Sequence, residues 1–476
     1  MITFFVSIIL LVIGYFTYGK FIEKIFEPTD KRQTPALSVA DGVDFVPMPK
    51  QKNAMIQLLN IAGTGPIFGP IMGALFGPVA FLWIVLGSIF AGGVHDYLTG
   101  MISIRNKGAH IPELAGKFLG NFSRHIVNAF SLLLLVLVGT VFVTTPASLI
   151  DILLDGKVAF GIILGSIFAY YFLSTILPID KIIGRVYPIF GAILLFGTVA
   201  IGISLVFSDY KIPELALGNL HPDNIPIFPI LFFTITCGAL SGFHATQSPI
   251  ISRTTQKESQ GRYIFYGMMI AEGIIAMIWA AAAMSLFDGQ TLSEVIAAGT
   301  ASAAVNEIAI TLLGAVAGTV AVLGVIVLPI TSGDTAFRAA RSIVADYLNV
   351  GQKNAVNRLM IALPLFVVSF GLTFIDFNIL WRYFSWANQA TAVIALWIAT
   401  MYLFIKGKNY FVSLVPAIFM TYMVFVYILN AQIGFNLNLN ISFVIGLVLT
   451  ILMTFVFFRK AIRNKEDQIE VDMKAA

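Results

Sequence analysis

Two carboxylates stand where water is scarce. Glu272 lies near the middle of a long apolar run, flanked by Met268, Met269, Ala271, Gly273 and Ala276, with no Lys or Arg in the same run. Asp96 lies on a stripe of small residues, Ser88, Gly92, Asp96 and Gly100, at helical spacing, so it faces another helix. An intramembrane carboxylate is a functional candidate by default, because it can take up a proton on one side of the bilayer and release it on the other; the alternatives are a structural hydrogen bond from Asp96 to the neighbouring broken helix and a permanently protonated Glu272 that only donates one. His95, one position round from Asp96, is a second proton group or an interhelical bond. Asn388 and Gln389 are amides within another apolar run and must find partners, as a gate or as helix glue.

Two interruptions give these groups a place to act. Gly63-Thr64-Gly65-Pro66, followed by Gly69-Pro70, falls mid-way along one apolar run, and the stretch from Gly238 through Ser241, Gly242, Phe243 and His244 to Pro249 falls mid-way along another. Proline removes a donor and clashes with the preceding turn, and glycine eases unwinding. Broken backbone is tolerated at membrane depth only where it lines a cavity or is buried in protein. A half-helix opened at Pro66 would present N–H groups to a substrate carboxylate held between Gly63 to Pro66 and Gly238 to His244. The competing reading of each break is a structural kink.

The elements that must hold these residues follow from composition. Of 476 residues 58% are hydrophobic and 11% charged, with a mean hydropathy of +0.89, which excludes soluble, disordered and collagen-like classes. Stretches of about 20 apolar residues predict an all-α polytopic membrane protein with about thirteen transmembrane helices. They fall near 2–19, 54–76, 78–104, 126–150, 158–177, 186–207, 226–250, 263–286, 308–331, 357–375, 379–404, 410–430 and 441–458. No Lys or Arg precedes Lys20, so the first run reads as a retained span, not a cleaved signal. With the N-terminus outside, every Lys and Arg except Lys157, Lys211 and Arg382 falls on the cytoplasmic side, together with the C-terminal tail. The tail mixes both signs of charge, and no basic arm points to nucleic acid. Cys237 is the single cysteine and reads as a structural thiol.

The breaks lie five spans apart, an odd offset that predicts an inverted repeat with a midplane site between the discontinuous helices. The organisation expected is a peripheral first helix at 1–25, a cytoplasmic linker at 26–53, one repeat at 54–207, its partner at 226–404, two peripheral helices at 405–458 and a tail at 459–476. Pro112 to Ala115 and Ser293 to Ile296 read as short amphipathic helices in matching positions of the two halves. His95, His110, His125, His221 and His244 show no H-E-x-x-H and no paired zinc spacing, and Ser241 lacks the glycines of a nucleophile elbow. No enzyme and no cofactor is expected. A channel is the rival class, since broken helices also line pores.

The chain resembles the carbon starvation protein A family. The residues that carry the resemblance are Asp41-Gly42-Val43-Asp44-Phe45-Val46-Pro47, the Gly63 to Pro70 break, the Asp96 region, Gly242-Phe243-His244-Ala245, Arg338-Ala339-Ala340-Arg341 and Ala387-Asn388-Gln389. It departs from the family pattern at Thr64 and His95, and it is short beside the family's long members. The resemblance implies a LeuT-like 5+5 fold in the bacterial inner membrane, in contact with lipid, and proton-coupled uptake of pyruvate or short peptides during carbon starvation. The alternative is a sodium-coupled amino-acid symporter of the same fold. In that fold Thr331 and Ser332 correspond to a position that holds a coupling Na+ against the first broken helix; the alternative for them is helix-end capping at the membrane surface. Arg338 and Arg341 then read as interfacial cytoplasmic charges.

Overall fold

Where no water reaches the backbone, an apolar run must close its hydrogen bonds within itself, and this chain does so as helices. A computed structural model describes all residues except 177, 178 and 476, and the side chains except those of 176–188 and 467–476. The end of the expected span 158–177, the start of 186–207 and Asp467, Glu470 and Asp472 of the tail lie outside the described side chains. Among the described residues the only β pairing is an isolated bridge between Met48 and Thr255.

The helices that matter below are α1 (Ile2–Phe16), α2 (Tyr18–Phe26), α3 (Lys50–Ala62), α4 (Gly65–Gly73), α5 (Val79–Arg105), α6 (Ile111–Leu119) and α7 (Asn121–Leu153). They continue with α8 (Phe160–Ile176), α9 (Ile179–Phe207), α10 (Ile227–Thr234), α11 (Gly242–Ser252), α12 (Gly267–Leu286), α13 (Gly289–Leu348), α14 (Ala355–Leu372), α15 (Phe377–Ile405), α16 (Phe411–Asn430) and α17 (Leu439–Ala475).

Among the described residues, by length and composition, ten helices can cross a membrane, or eleven if the pair Lys50–Ala62 and Gly65–Phe76, bent by 44°, counts as one span. The other expected spans fall on shorter pieces: 158–177 on α8, and 226–250 on α10 and α11 with a non-helical stretch between them. The expected short helix at Pro112 to Ala115 is α6. That at Ser293 to Ile296 is the first segment of α13, set off by non-helical backbone at Gly299 and Thr300.

Burial sorts the bundle. The apolar windows of α5 and α15 are 83% buried, whereas those of α1 with α2 and of α17 are 28% and 22% buried, so the first and last helices turn their apolar side chains outward. The helix α16 is 67% buried, because Phe233 stacks on its Tyr427 and Trp397 of α15 donates to its Thr421. The helix α17 runs on to Ala475, through the stretch expected as the tail.

The linker before α3 is packed into the protein, not draped over it. Asp41 Oδ1 accepts the N–H groups of Val43, Asp44 and Phe45, and the tight turn delivers Asp44 to Arg338 at 3.6 Å and Arg341 at 3.5 Å. Those arginines are 2% and 0% exposed, so they are buried ion-pair partners and not interfacial charges. Burial pushes the Asp44 carboxyl up, but Arg341, Arg338, Arg253 and Arg358 outweigh it and hold the group below its usual range.

A depressed folded-state pKa means that the pairing stabilises fully above the unfolded value of about 3.9 and is lost as the pH falls through the lower folded value. Asp44→Asn is expected to remove about 3 to 5 kcal/mol, the magnitude for breaking a buried pair. In detergent its melting temperature should fall below wild type near neutral pH, with the gap closing below about pH 4. Equal melting temperatures at pH 7 would refute the pairing.

Candidate functional site

The first break is built by glycine. Gly63 takes φ 50°, ψ −143°, backbone that a side chain disfavours, and ends α3. Thr64 precedes α4, its carbonyl accepting the Phe68 N–H at 2.8 Å, and Pro66 sits in the first turn where its missing donor does no harm. The orphaned groups of α3 go to Ser332: its Oγ accepts the Gly63 N–H at 3.1 Å and donates to the Leu59 carbonyl at 2.7 Å. Ser332 and Thr331 are fully buried within the unbroken stretch of α13 that follows Gly314, and Thr331 donates to the Leu328 carbonyl at 2.7 Å. The reading of these hydroxyls as helix-end caps at the surface is therefore corrected.

The second break runs from Ile235 to Ser241, with Gly238 at φ 88°. Carbonyls in and beside it are met from two helices, α5 and α15. Trp83 Nε1 donates to Ile235 at 2.9 Å, Ser88 Oγ to Gly238 at 2.8 Å, and Gln389 Nε2 to Phe232 at 3.1 Å and Leu240 at 3.0 Å. Asn388 Oδ1 accepts the Phe243 N–H at 2.7 Å and the Ser241 hydroxyl at 3.1 Å, capping α11 in place of a local side chain. The Phe243 N–H, within the stretch expected to meet a substrate carboxylate, is thus taken by an amide of α15. Ser88 reaches Gly238 from a wide π turn, Gly87–Gly92, inside α5.

Glycine also brings the breaks together. A Cβ on Gly65 would overlap the Cys237 side chain, one on Gly242 the Asn388 carbonyl, and one on Gly69 would stand 2.8 Å from the Thr234 carbonyl.

Between the breaks and α12 lies one buried polar cluster. His244 Nδ1 is 3.0 Å from Asp96 Oδ2, Asp96 Oδ1 is 2.8 Å from His95 Nδ1, and His244 Nε2 is 3.5 Å from Glu272 Oε2. All four residues are fully buried. The expected proton groups His95, Asp96 and Glu272, from α5 and α12, are thus joined through a histidine of the second break. An imidazole between two carboxylates can accept a proton at one ring nitrogen and release it at the other.

Sequence reading missed the polar face of α3. Asn53, Gln57 and Asn60 are all fully buried, and their spacing of four and three residues in an apolar run was the available signal. Asn53 bonds Thr255 at 2.9 Å and Thr254 at 2.7 Å, tying α3 to the end of α11. At the other end of the breaks a cavity of about 550 Å³ opens between Met72, Phe76, Thr234, Trp381, Arg382 and Tyr427.

A bundle of apolar helices in which two broken ones meet at a buried acid–imidazole cluster has the construction of a secondary transporter. A crystallised manganese transporter mutant from Eremococcus coleocola matches over 90% of this chain and all of its own, with a TM-score of 0.55 and 13% identity, a likeness of fold. The chain belongs to the family described as carbon starvation protein CstA, which matches residues 1–152, 153–309 and 287–426.

An uncharacterized membrane protein of Haemophilus influenzae is 48% identical, over 63% of this chain and 95% of that one. The peptide transporter CstA of Campylobacter jejuni is 29% identical over 57% of this chain and 48% of its own, and the pyruvate/proton symporter BtsT of Escherichia coli 27% over 60% and 49%. The chain spans about half the length of these two named transporters. It is a multi-pass membrane protein of a transporter family.

Asn388→Ala leaves the Phe243 N–H and the Ser241 hydroxyl without their acceptor, which costs about 1 to 3 kcal/mol. Its melting temperature in detergent should fall accordingly, and an unchanged value would show that the cap carries no energy.

Proposed function

We propose that this protein is a secondary active transporter that takes up a small carboxylate-bearing solute, pyruvate or a short peptide, by proton symport in a carbon-starved bacterial cell. The observation that carries this reading is the buried chain His95–Asp96–His244–Glu272 at the contact of two broken helices. The relatives named as peptide transporter and pyruvate/proton symporter supply the substrate classes.

On this reading thirteen spans cross the inner membrane, with the N-terminus outside. Spans two to six and seven to eleven form a LeuT-like inverted repeat, and lipid covers the outward apolar faces. The cavity above the breaks is then an outer vestibule, and Arg382 at its wall is one of only three cations on that side. A cation at the mouth of a low-dielectric cleft concentrates anions. The substrate carboxylate meets Gly63 to Pro66 and Gly238 to His244 once Asn388 turns away and frees the Phe243 N–H. Gln389 keeps the breaks in shape, Glu272 carries the coupled proton, and Asp96 and His95 serve as secondary groups. Glu272 takes its proton from the vestibule side and passes it by way of His244, and its return to the charged form resets the cycle.

The sodium-coupled reading would use Thr331 and Ser332. The Ser332 hydroxyl is engaged by Gly63 and Leu59, which favours a structural role for it and the proton reading for the transporter.

Proteoliposome uptake of labelled pyruvate and of a labelled dipeptide, each driven by a proton or a sodium gradient, tests the proposal. A proton gradient should drive accumulation of one of them. Glu272→Gln should abolish accumulation while exchange continues, because the amide mimics the protonated acid. Accumulation by the variant at the wild-type level would make Glu272 structural.

A further inference from the structure

Sequence spacing shows no metal motif around Cys237, His244 and Glu272, because they come from three different elements, the second break, the first turn of α11 and α12. In three dimensions they converge. One ligand atom of each lies within 4.8 Å of the other two, and all three residues are fully buried.

The hydrogen bonding around them points one way. His244 Nδ1 is committed to Asp96 at 3.0 Å, and a carboxylate there holds the proton on Nδ1. Nε2 then turns a lone pair toward Glu272 Oε2 at 3.5 Å, and neither Nε2 nor either Glu272 oxygen is in hydrogen-bond geometry with any described group. With the proton on Nδ1, the lone pairs of Nε2 and of Glu272 face one another beside the Cys237 thiol. A carboxylate that fixes the far nitrogen of a histidine is the usual support of a metal-bound imidazole.

We propose that Cys237 Sγ, His244 Nε2 and a Glu272 oxygen form a site for a borderline-soft divalent transition metal ion of the Zn2+ class, with Asp96 orienting the histidine. Tetrahedral coordination at zinc distances sets ligand atoms about 3.3 to 3.7 Å apart. The nitrogen–oxygen pair at 3.5 Å already meets that spacing, and the remaining closure is about an ångström. Thiolate, imidazole and carboxylate suit zinc and cobalt and do not suit the oxygen-seeking magnesium or calcium.

On binding, the thiol releases its proton to solvent, and the two anionic ligands neutralise the ion, so the buried group carries no net charge. Because Cys237 and His244 flank the second break and Glu272 belongs to α12, the ion ties the unwound segment to its neighbour and holds the breaks closed. This inference rests on the ligand geometry and not on the proton-coupling reading.

The test is equilibrium binding to the purified full chain in detergent, with no substrate and no gradient, so that failure here is independent of any transport result. After chelator treatment, Co2+ is titrated in as a spectroscopic probe and then displaced with Zn2+. The wild type should bind about one equivalent and show the thiolate-to-cobalt charge-transfer band that only a sulfur ligand gives. Cys237→Ser, the near-isosteric change, should lose that band. Asp96→Asn should keep the band while weakening affinity about 10- to 100-fold, as expected for a supporting group.

Melting temperatures of the metal-free proteins separate misfolding from lost ligation, and Zn2+ should raise that temperature in the wild type and not in Cys237→Ser. No charge-transfer band in the wild type, or equal Zn2+ stabilisation of Cys237→Ser, overturns the site.

Discussion

Backbone that leaves a helix inside a membrane must be met by something other than water, and in this protein that single constraint organises the centre. Neither break satisfies itself. Ser332 closes the first, and Trp83, Ser88, Asn388 and Gln389 close the second, so three further helices are fixed in depth and rotation by the peptide groups they serve. An apolar side chain at any of these positions would leave a buried carbonyl or N–H unmet, and such groups cost a few kcal/mol each. The breaks can therefore be unwound and still held in place.

The same economy explains why the acidic cluster is where it is. His244 stands in the first turn of α11, held there by the cap that Asn388 gives to Phe243, its neighbour. From that position one imidazole spans the gap between Asp96 on α5 and Glu272 on α12. Ser88 lies two turns before Asp96 on the stripe it shares with Gly92, and its bond to Gly238 sets α5 against the second break at the depth where Asp96 meets the ring. Backbone repair and the acid–imidazole cluster thus both draw on α5 and the segment around the second break.

Much of this was legible in the residues. Glycine and proline marked both breaks, because their backbone effects are local, and the isolation of Glu272 and Asp96 in apolar runs marked them as groups in need of a partner. The partnerships were not legible. Asn388 and Gln389 read equally as gate or glue until the fold set them against the second break. Thr331 and Ser332 read as a helix end because the apolar run stops there, whereas α13 continues by burying its next charges, Arg338 and Arg341, against Asp44. A charge whose counter-ion lies some 300 positions away in the chain looks like a surface charge from sequence alone. Burial of the linker that carries Asp44 has the same cause: its anchors, Thr254 and Thr255, are contributed by a distant helix end.

One consequence of α13 is mechanical. From Ser332, at the first break, to Arg338 and Arg341, beneath the linker, is six and nine residues of unbroken helix, or about 9 and 13 Å of rise. A rod that short does not bend or stretch appreciably, so its two ends share one displacement. Withdrawing the hydroxyl from Gly63 and Leu59 drags both guanidinium groups off Asp44, and prising the linker away unloads the hydroxyl. The centre of the molecule and its linker-covered face are in this way two readings on a single gauge.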